Sequence, residues 1–307
     1  MLPRGTFSEE HGQGLSDKPG TPPHAQLVFS GGGKAAAMAV TLNKWPVPVP
    51  AQLSQCPDTA YHPYSHCTQT ALAGGATLVL DRSPVDEKRP AGPVLLTALL
   101  TGKDGKQVLV SETTSSKGQE ASGKTSLPLS LGQLSHLATS SVWHPVLGAM
   151  PAPPALHRTA GIARMTGQQI SHVIEQLLPA GMHATQKGGS DGFGHVTVDD
   201  GRGKSLVAVN VQRWKRGDSD MAKLFATAGT LPDGTRIKVR RGPASRGGKG
   251  AVEWTVDTLR KDGLRVVIST VNAGAYQLPA DRREPALNIT QLKQIVLNSA
   301  WIRAAGS

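Results

Sequence analysis

Alternation of apolar and polar residues marks strands most clearly in the second half of the chain. Ser205–Trp214 and Val252–Leu259 both alternate with the two-residue period of a half-buried strand. A shorter strand is predicted at Thr235–Val239. Asp262-Gly263 tolerates the positive φ of a hairpin turn, so Leu264–Thr270 is predicted to return antiparallel to the strand before it.

Apolar residues at helical spacing predict two helices in the same half. The first begins after Thr166, a good capping residue, and ends at Pro179, which cannot continue a helix. The second begins after Asn288, and Ser130 is the equivalent cap in the first half. Helices and strands therefore recur in one order in both halves.

The two halves are copies of one unit. Thr77–Trp143 aligns with Thr235–Trp301 at a constant shift of 158 positions without a gap. The turn Lys103–Gly105 falls on Lys261–Gly263, and a tryptophan closes both segments. Agreement of a turn, an alternation pattern and a terminal residue indicates a tandem duplication.

The alignment continues upstream with a different shift. Ala36–Trp45 lies over Ser205–Trp214, and Leu2-Pro3 resembles Leu178-Pro179. Because Leu178-Pro179 ends the leading helix of the second copy, the equivalent helix of the first copy would lie before Met1. We therefore predict a first copy without its leading helix.

The predicted fold class is α+β, with two tandem repeats. Each repeat is an antiparallel sheet of about five strands with flanking helices. Residues 1–144 form the first repeat, residues 145–162 a linker rich in Pro and Ala, and residues 163–307 the second repeat.

Positive charge is concentrated in the second repeat. Residues 1–150 contain 11 Lys/Arg and 10 Asp/Glu, whereas residues 151–307 contain 22 and 12. This imbalance favours attraction to polyanions, and the alternative is a solvated basic surface without a ligand. The sequence has no apolar run of about 18 residues, the length that would predict a membrane-spanning helix.

One basic segment is the candidate polyanion-binding site. It contains Lys238, Arg240, Arg241, Arg246 and Lys249. If the hairpin strand near Arg213 is adjacent, a second group of cations extends this surface: Arg202, Lys204, Arg213, Lys215 and Arg216. The loop carries no aromatic residue for stacking on bases, which disfavours specific nucleic-acid binding. An anionic envelope polymer or another protein remains as the partner class.

Cys56 and Cys67 are the two cysteines and stand eleven positions apart. A disulfide between them would restrict the unfolded chain and indicates an oxidising compartment. Two alternatives are free thiols and a metal site that adds His62 and His66. The other histidines, His195 among them, are predicted to be exposed or partly packed.

The sequence favours a non-catalytic role. Neither the HExxH motif of zinc proteases nor the GxGxxG motif of dinucleotide-binding proteins occurs, and no cofactor is implied. Three hypotheses follow: a binding or scaffolding protein of the cell envelope, a polyanion-binding module, and a metal-binding protein or enzyme built on the Cys56–Cys67 loop.

The ordered motifs LLP, VDDG, VNVQRW, LPDGT and LRKDG, followed by a QL-containing helix and a tryptophan, resemble uncharacterised secreted proteins and lipoproteins of high-GC actinobacteria. The resemblance covers nearly the whole chain, copy by copy, and implies export and a non-catalytic role at the cell surface. The sequence shows neither a leader nor a lipobox cysteine at its start, which leaves anchoring open. At the level of fold, the repeats also resemble exported α/β/α-sandwich modules of mycobacterial lipoproteins.

Overall fold

A computed structural model describes residues 2–18, 20–114, 127–153 and 165–306. The chain divides into two compact units. The first comprises Met1–Pro57 and Tyr64–Leu156, and the second comprises Asp58–Pro63 and His157–Ser307. Six residues from the loop between the two cysteines therefore belong to the second unit.

Each unit contains one antiparallel sheet of seven strands. In the first unit the strands are β1 Thr6–Gln13, β2 His24–Gly31, β3 Lys34–Lys44, β4 His66–Ala71, β5 Thr77–Pro84, β6 Val94–Thr101 and β7 Lys106–Thr113. In the second they are β8 His183–Ser190, β9 Phe193–Asp199, β10 Lys204–Arg213, β11 Gly229–Thr230, β12 Arg236–Pro243, β13 Val252–Leu259 and β14 Leu264–Val271. The spatial orders, β1-β2-β3-β7-β6-β5-β4 and β8-β9-β10-β14-β13-β12-β11, are equivalent.

The prediction of about five strands per repeat was too low. The missed strands are the outer ones, β1 and β8 at one edge and β4 and β11 at the other. An edge strand exposes most of its side chains, so it lacks the apolar alternation by which inner strands are recognised. Every residue of β1 before Gln13 is exposed, for example.

Among the described residues, six α-helices accompany the sheets: α1 Leu131–Ala138, α2 His144–Ala149, α3 Gly167–Leu177, α4 Ser219–Leu224, α5 Ile289–Val296 and α6 Ala300–Gly306. α1 and α5 are equivalent and pack on the inner strands. The predicted caps Ser130, Thr166 and Asn288 all form capping boxes with a glutamine three residues later. α2 lies in the segment predicted to be linker, whose residues 154–162 are outside the described residues.

Each core lies between the sheet and its helices. In the second unit, Val207, Val209 and Val211 of β10 are fully buried with residues of α3 and α5 on what we call the helix face. The first core repeats this arrangement around α1. Trp301 donates its indole N–H to Ile295 O, and Trp143 donates to Leu137 O in the same way. Each tryptophan is therefore bonded to the last turn of the helix that precedes it, α5 or α1.

The structure corrects the ungapped alignment by one residue in one strand. Thr77 pairs with Thr101, and Arg236 pairs with Leu259, the equivalent of Thr101. Thr77 is therefore equivalent to Arg236 and not to Thr235, because the loop between β12 and β13 is one residue shorter. Since a slip of one residue moves side chains to the opposite face, this correction decides where the basic residues of β12 point.

Candidate functional site

The face of the second sheet opposite α3 and α5 carries most of its polar side chains, and we call it the polar face. Strand pairing lines up one row across five strands. From β12 to β9 the row reads Arg240, Thr255, Ser269, Ala208 and His195. Alternation along β12 places Lys238 on the same face as Arg240.

Residues of the cysteine loop pack onto this face. Ala60 is buried in a small core with Leu206, Val271 and Tyr276. The rings of Tyr61 and Tyr276 stack with their centroids 5.1 Å apart, and the Tyr276 amide donates to Ala60 O at 2.9 Å. The loop is therefore held by both aromatic and backbone contacts.

An ionisable pair, buried at His195 and partly exposed at Asp58, anchors the same loop. His195 is 1% exposed and its Nε2 donates to Asp58 Oδ1 at 2.7 Å. Burial of Asp58 opposes ionisation of its carboxyl group. The hydrogen bond and the electrostatic attraction from His195 outweigh this effect, so the pKa of Asp58 lies below its usual value. Because Asp58 occupies Nε2 and Nδ1 is buried, the imidazole is not accessible to a bulky substrate.

The two tyrosines remain protonated at neutral pH. Burial and the electrostatic effect of Tyr276 raise the pKa of Tyr61 to about 12. Burial also raises the pKa of Tyr276. The Arg246 guanidinium lies 5.5 Å from the Tyr61 ring centroid. Tyr61, which is partly exposed, can therefore donate a hydrogen bond and offer a ring surface, and Arg246 adds positive charge beside it.

Of the five basic residues predicted to form a site, the structure places Lys238 and Arg240 on one face of β12 and Arg246 in the loop after β12. Lys238 Nζ donates to Leu224 O at 2.8 Å, and Arg240 bonds Glu253 at 2.9 Å while its side chain stays 59% exposed. These two and Arg246 belong to the polar face or its rim. Arg241 lies on the helix face, over the Trp254 ring at 4.9 Å, and Lys249 lies in an exposed loop.

The condition for extending the basic surface onto the hairpin near Arg213, that its strand lies beside β12, is not met. β10 does not lie beside β12, because β13 and β14 stand between them. Three strand spacings separate the two strands by about 14 Å. Arg213 instead bonds Asp262 at 3.0 Å, and Lys215 and Arg216 follow it as exposed residues at the end of β10.

The predicted disulfide is confirmed between Cys56 and Cys67, whose Cα atoms are 5.7 Å apart. Both sulfurs are therefore unavailable as metal ligands. His66 is exposed at the start of β4, and His62 is exposed in the loop. Over the described ranges, no group of three or more His, Cys, Asp or Glu side chains could hold a metal ion.

One motif lies outside the sequence-based predictions. Gly188–Gly192 (GGSDG) has the GxSxG spacing of a nucleophile elbow, which requires a strand-to-helix turn. Here Ser190 ends β8 and the chain turns directly into β9, so the structural context of that motif is missing. The sequence also gave no signal for Asp58, Tyr61 or Tyr276, which are separated widely along the chain.

Comparisons with known proteins do not define a family. No family model matches the chain, and no curated protein matches it. The MucA/MucB complex of Pseudomonas aeruginosa is similar at a TM-score of 0.21 and 12% identity, covering 96% of this chain and 87% of that chain. DynU16, from the dynemicin biosynthetic locus, is similar at a TM-score of 0.09 and 11% identity, covering 91% of this chain and 80% of that chain.

Proposed function

We propose that this chain is a non-catalytic, extracytoplasmic binding protein of the cell envelope, and that its second unit binds a linear polyanion at the β12 side of the polar face. One observation carries the proposal: Lys238 and Arg240 extend from the same face of β12, and Arg246, in the loop that follows β12, stands over Tyr61. Two cations thus share the polar face of β12, and the loop that follows β12 adds a third cation over an aromatic ring.

The charges suit a repeating anionic ligand. Lys238 and Arg240 are two residues apart, which separates their side chains by about 6.6–6.8 Å along the strand. Arg240 uses one N–H on Glu253 and keeps others for an external anion, since most of its side chain is exposed. Arg246 adds a guanidinium over the Tyr61 ring.

The disulfide supports the extracytoplasmic part of the proposal, because such bonds persist in oxidising compartments. No helix among the described residues is long and apolar enough to cross a membrane. The non-catalytic part is supported by the state of the polar face, where His195 is enclosed by Asp58 and both phenols are protonated.

Retention on a heparin column in a salt gradient tests the proposal. Arg240→Ser/Arg246→Ser should elute clearly earlier than the wild type, because both cations are removed from the polar face. Lys215→Ser/Arg216→Ser removes the same charge from exposed residues at the end of β10 and is the matched control. Equal losses in the two variants, or no retention of the wild type, would refute the proposed site.

A further inference from the structure

The two sheets have four edge strands among the described residues, and three of them are shielded against pairing with another chain. β1 is interrupted by a bulge and exposes Glu9 and Glu10. β8 is also interrupted by a bulge, exposes Lys187 and contains two adjacent glycines. β11 is only two residues long. Bulges, charged side chains and short length are devices by which soluble proteins prevent edge-to-edge association.

The fourth edge strand, β4, carries none of these devices. It pairs with β5 over six consecutive residues without a bulge. Its sequence, HCTQTA, contains no proline and no Lys, Arg, Asp or Glu. Five of its six residues are exposed, and Cys67 is half-buried. The counterpart of β4 in the second unit is the two-residue strand β11, so the two copies differ at this edge.

The free backbone groups of β4 follow from its hairpin with β5. Leu72 N donates to Ala76 O at 2.8 Å, so these two residues form a hydrogen-bonded pair. Because hydrogen-bonded and non-hydrogen-bonded pairs alternate along an antiparallel ladder, Thr70 and Thr68 are the residues of β4 that bond to β5. The N–H and C=O groups that point away from β5 are therefore those of Cys67, Gln69 and Ala71. No strand among the described residues pairs with this side of β4.

These outward groups are complementary to a second copy of themselves. When two β4 strands meet antiparallel with a two-fold axis at Gln69, Gln69 pairs with its own counterpart and Cys67 pairs with Ala71. Every outward N–H of the three residues then meets an outward C=O. Thr68 lies opposite Thr70 in a close, non-hydrogen-bonded pair, which favours contact between β-branched side chains. No Lys, Arg, Asp or Glu of β4 repels its copy in this arrangement.

We infer that β4 is an interaction surface for a second copy of this chain, and that the two copies pair β4 to β4 in antiparallel orientation around Gln69. The sheet of one first unit then continues into the sheet of the other. The two-fold match of backbone groups and threonine side chains selects a second copy as the occupant of this edge. One strand pair buries less surface than the interface of an obligate dimer, so the association is weak and depends on protein concentration.

Sedimentation velocity of the full chain at increasing concentration tests the inference. The wild type should pass from monomer to dimer. Gln69→Lys and Gln69→Glu should each weaken dimerisation about tenfold or more, because like charges then face each other at the two-fold axis. An equimolar mixture of the two variants should dimerise again, because opposite charges then meet. Gln26→Lys adds the same charge to an exposed residue of the inner strand β2 and should dimerise like the wild type.

Gln69→Pro tests the backbone part of the inference. The N–H of Gln69 points away from β5, so proline removes a hydrogen bond from the dimer and none from the hairpin. Dimerisation should weaken while the circular dichroism spectrum stays that of the wild type. A wild type that remains monomeric at every concentration, or a mixture of Gln69→Lys and Gln69→Glu that does not dimerise, would overturn the inference. Neither outcome bears on polyanion binding by the second unit.

Discussion

The Nε2 atom of His195 lies 2.7 Å from the carboxylate of Asp58, although the two residues are 137 positions apart in the chain. The bond joins strand β9 to the loop closed by Cys56 and Cys67. The segment Asp58–Pro63 of this loop is therefore part of the second unit. It also presents Tyr61 to Arg246 on the polar face.

Asp58→Ala should lower the free energy of unfolding by about 1–3 kcal/mol, because a buried imidazole nitrogen loses its hydrogen-bond partner. Urea denaturation followed by circular dichroism measures the change. Glu284→Ala, which removes an exposed carboxylate from the same unit, is the control and should be nearly neutral.

The effect of Asp58→Ala depends on pH in a defined direction. Because the pKa of Asp58 is lowered in the folded state, its contribution is present above the ordinary value of 3.8 and is lost as pH falls through the folded-state pKa. The difference between wild type and variant should therefore be full at neutral pH and shrink in acid. A difference that grows in acid would contradict the ion pair.

Glu112→Gln should stabilise the first unit above neutral pH. Glu112 is fully buried, Leu129 N donates to its Oε1 at 3.1 Å, and burial raises its pKa to about 7. The folded state thus disfavours the charged form, so stability falls as pH rises from 4.5 to 7. Glutamine retains the acceptor without the charge and should add up to about 3 kcal/mol at pH 8.

Midpoints of urea unfolding at several pH values check this prediction. The gain from Glu112→Gln should be nearly absent below pH 4.5, where the glutamate is protonated in both states. A variant that is less stable than wild type at pH 8 would show that the carboxylate is charged and stabilised in the folded protein.

Gly263→Ala should destabilise the second unit more than Gly201→Ala. Both glycines have positive φ, 86° and 79°, which costs an alanine about 1–2 kcal/mol at either position. A Cβ on Gly263 would also stand 2.1 Å from Trp214 O, whereas one on Gly201 meets nothing within 4 Å. The clash should add about 1–3 kcal/mol, measured as a lower urea midpoint.

Local signals in the sequence were sufficient for much of each unit. The capping residues, the Asp-Gly turn and the strand Val252–Leu259 all follow from interactions within a few residues. Local signals did not predict the edge strands, because their exposed side chains show no apolar alternation. They also misplaced β12 by one residue, because the loop after β12 is one residue shorter than its counterpart in the first unit. A turn-based alignment cannot detect such a shift.

The candidate site could not be predicted because its parts meet only through the fold. Asp58, His195 and Tyr276 share no spacing or motif, and Tyr61 lies in a loop that follows a cysteine of the first repeat. The sequence did indicate the basic residues of β12 and its loop. In the sheet, β13 and β14 lie between these residues and the cations near Arg213. Because side chains alternate along β12, Arg241 lies on the opposite face from Lys238 and Arg240.

The salt dependence of polyanion affinity shows whether Arg240 and Arg246 of the polar face bind the ligand. A heparin decasaccharide is titrated into wild type, Arg240→Ser/Arg246→Ser and Lys215→Ser/Arg216→Ser at salt concentrations from about 50 to about 200 mM. Affinity should fall with salt in the wild type, and the slope of log K against log salt should be shallower only in the Arg240/Arg246 variant. Identical slopes in all three proteins would contradict this prediction.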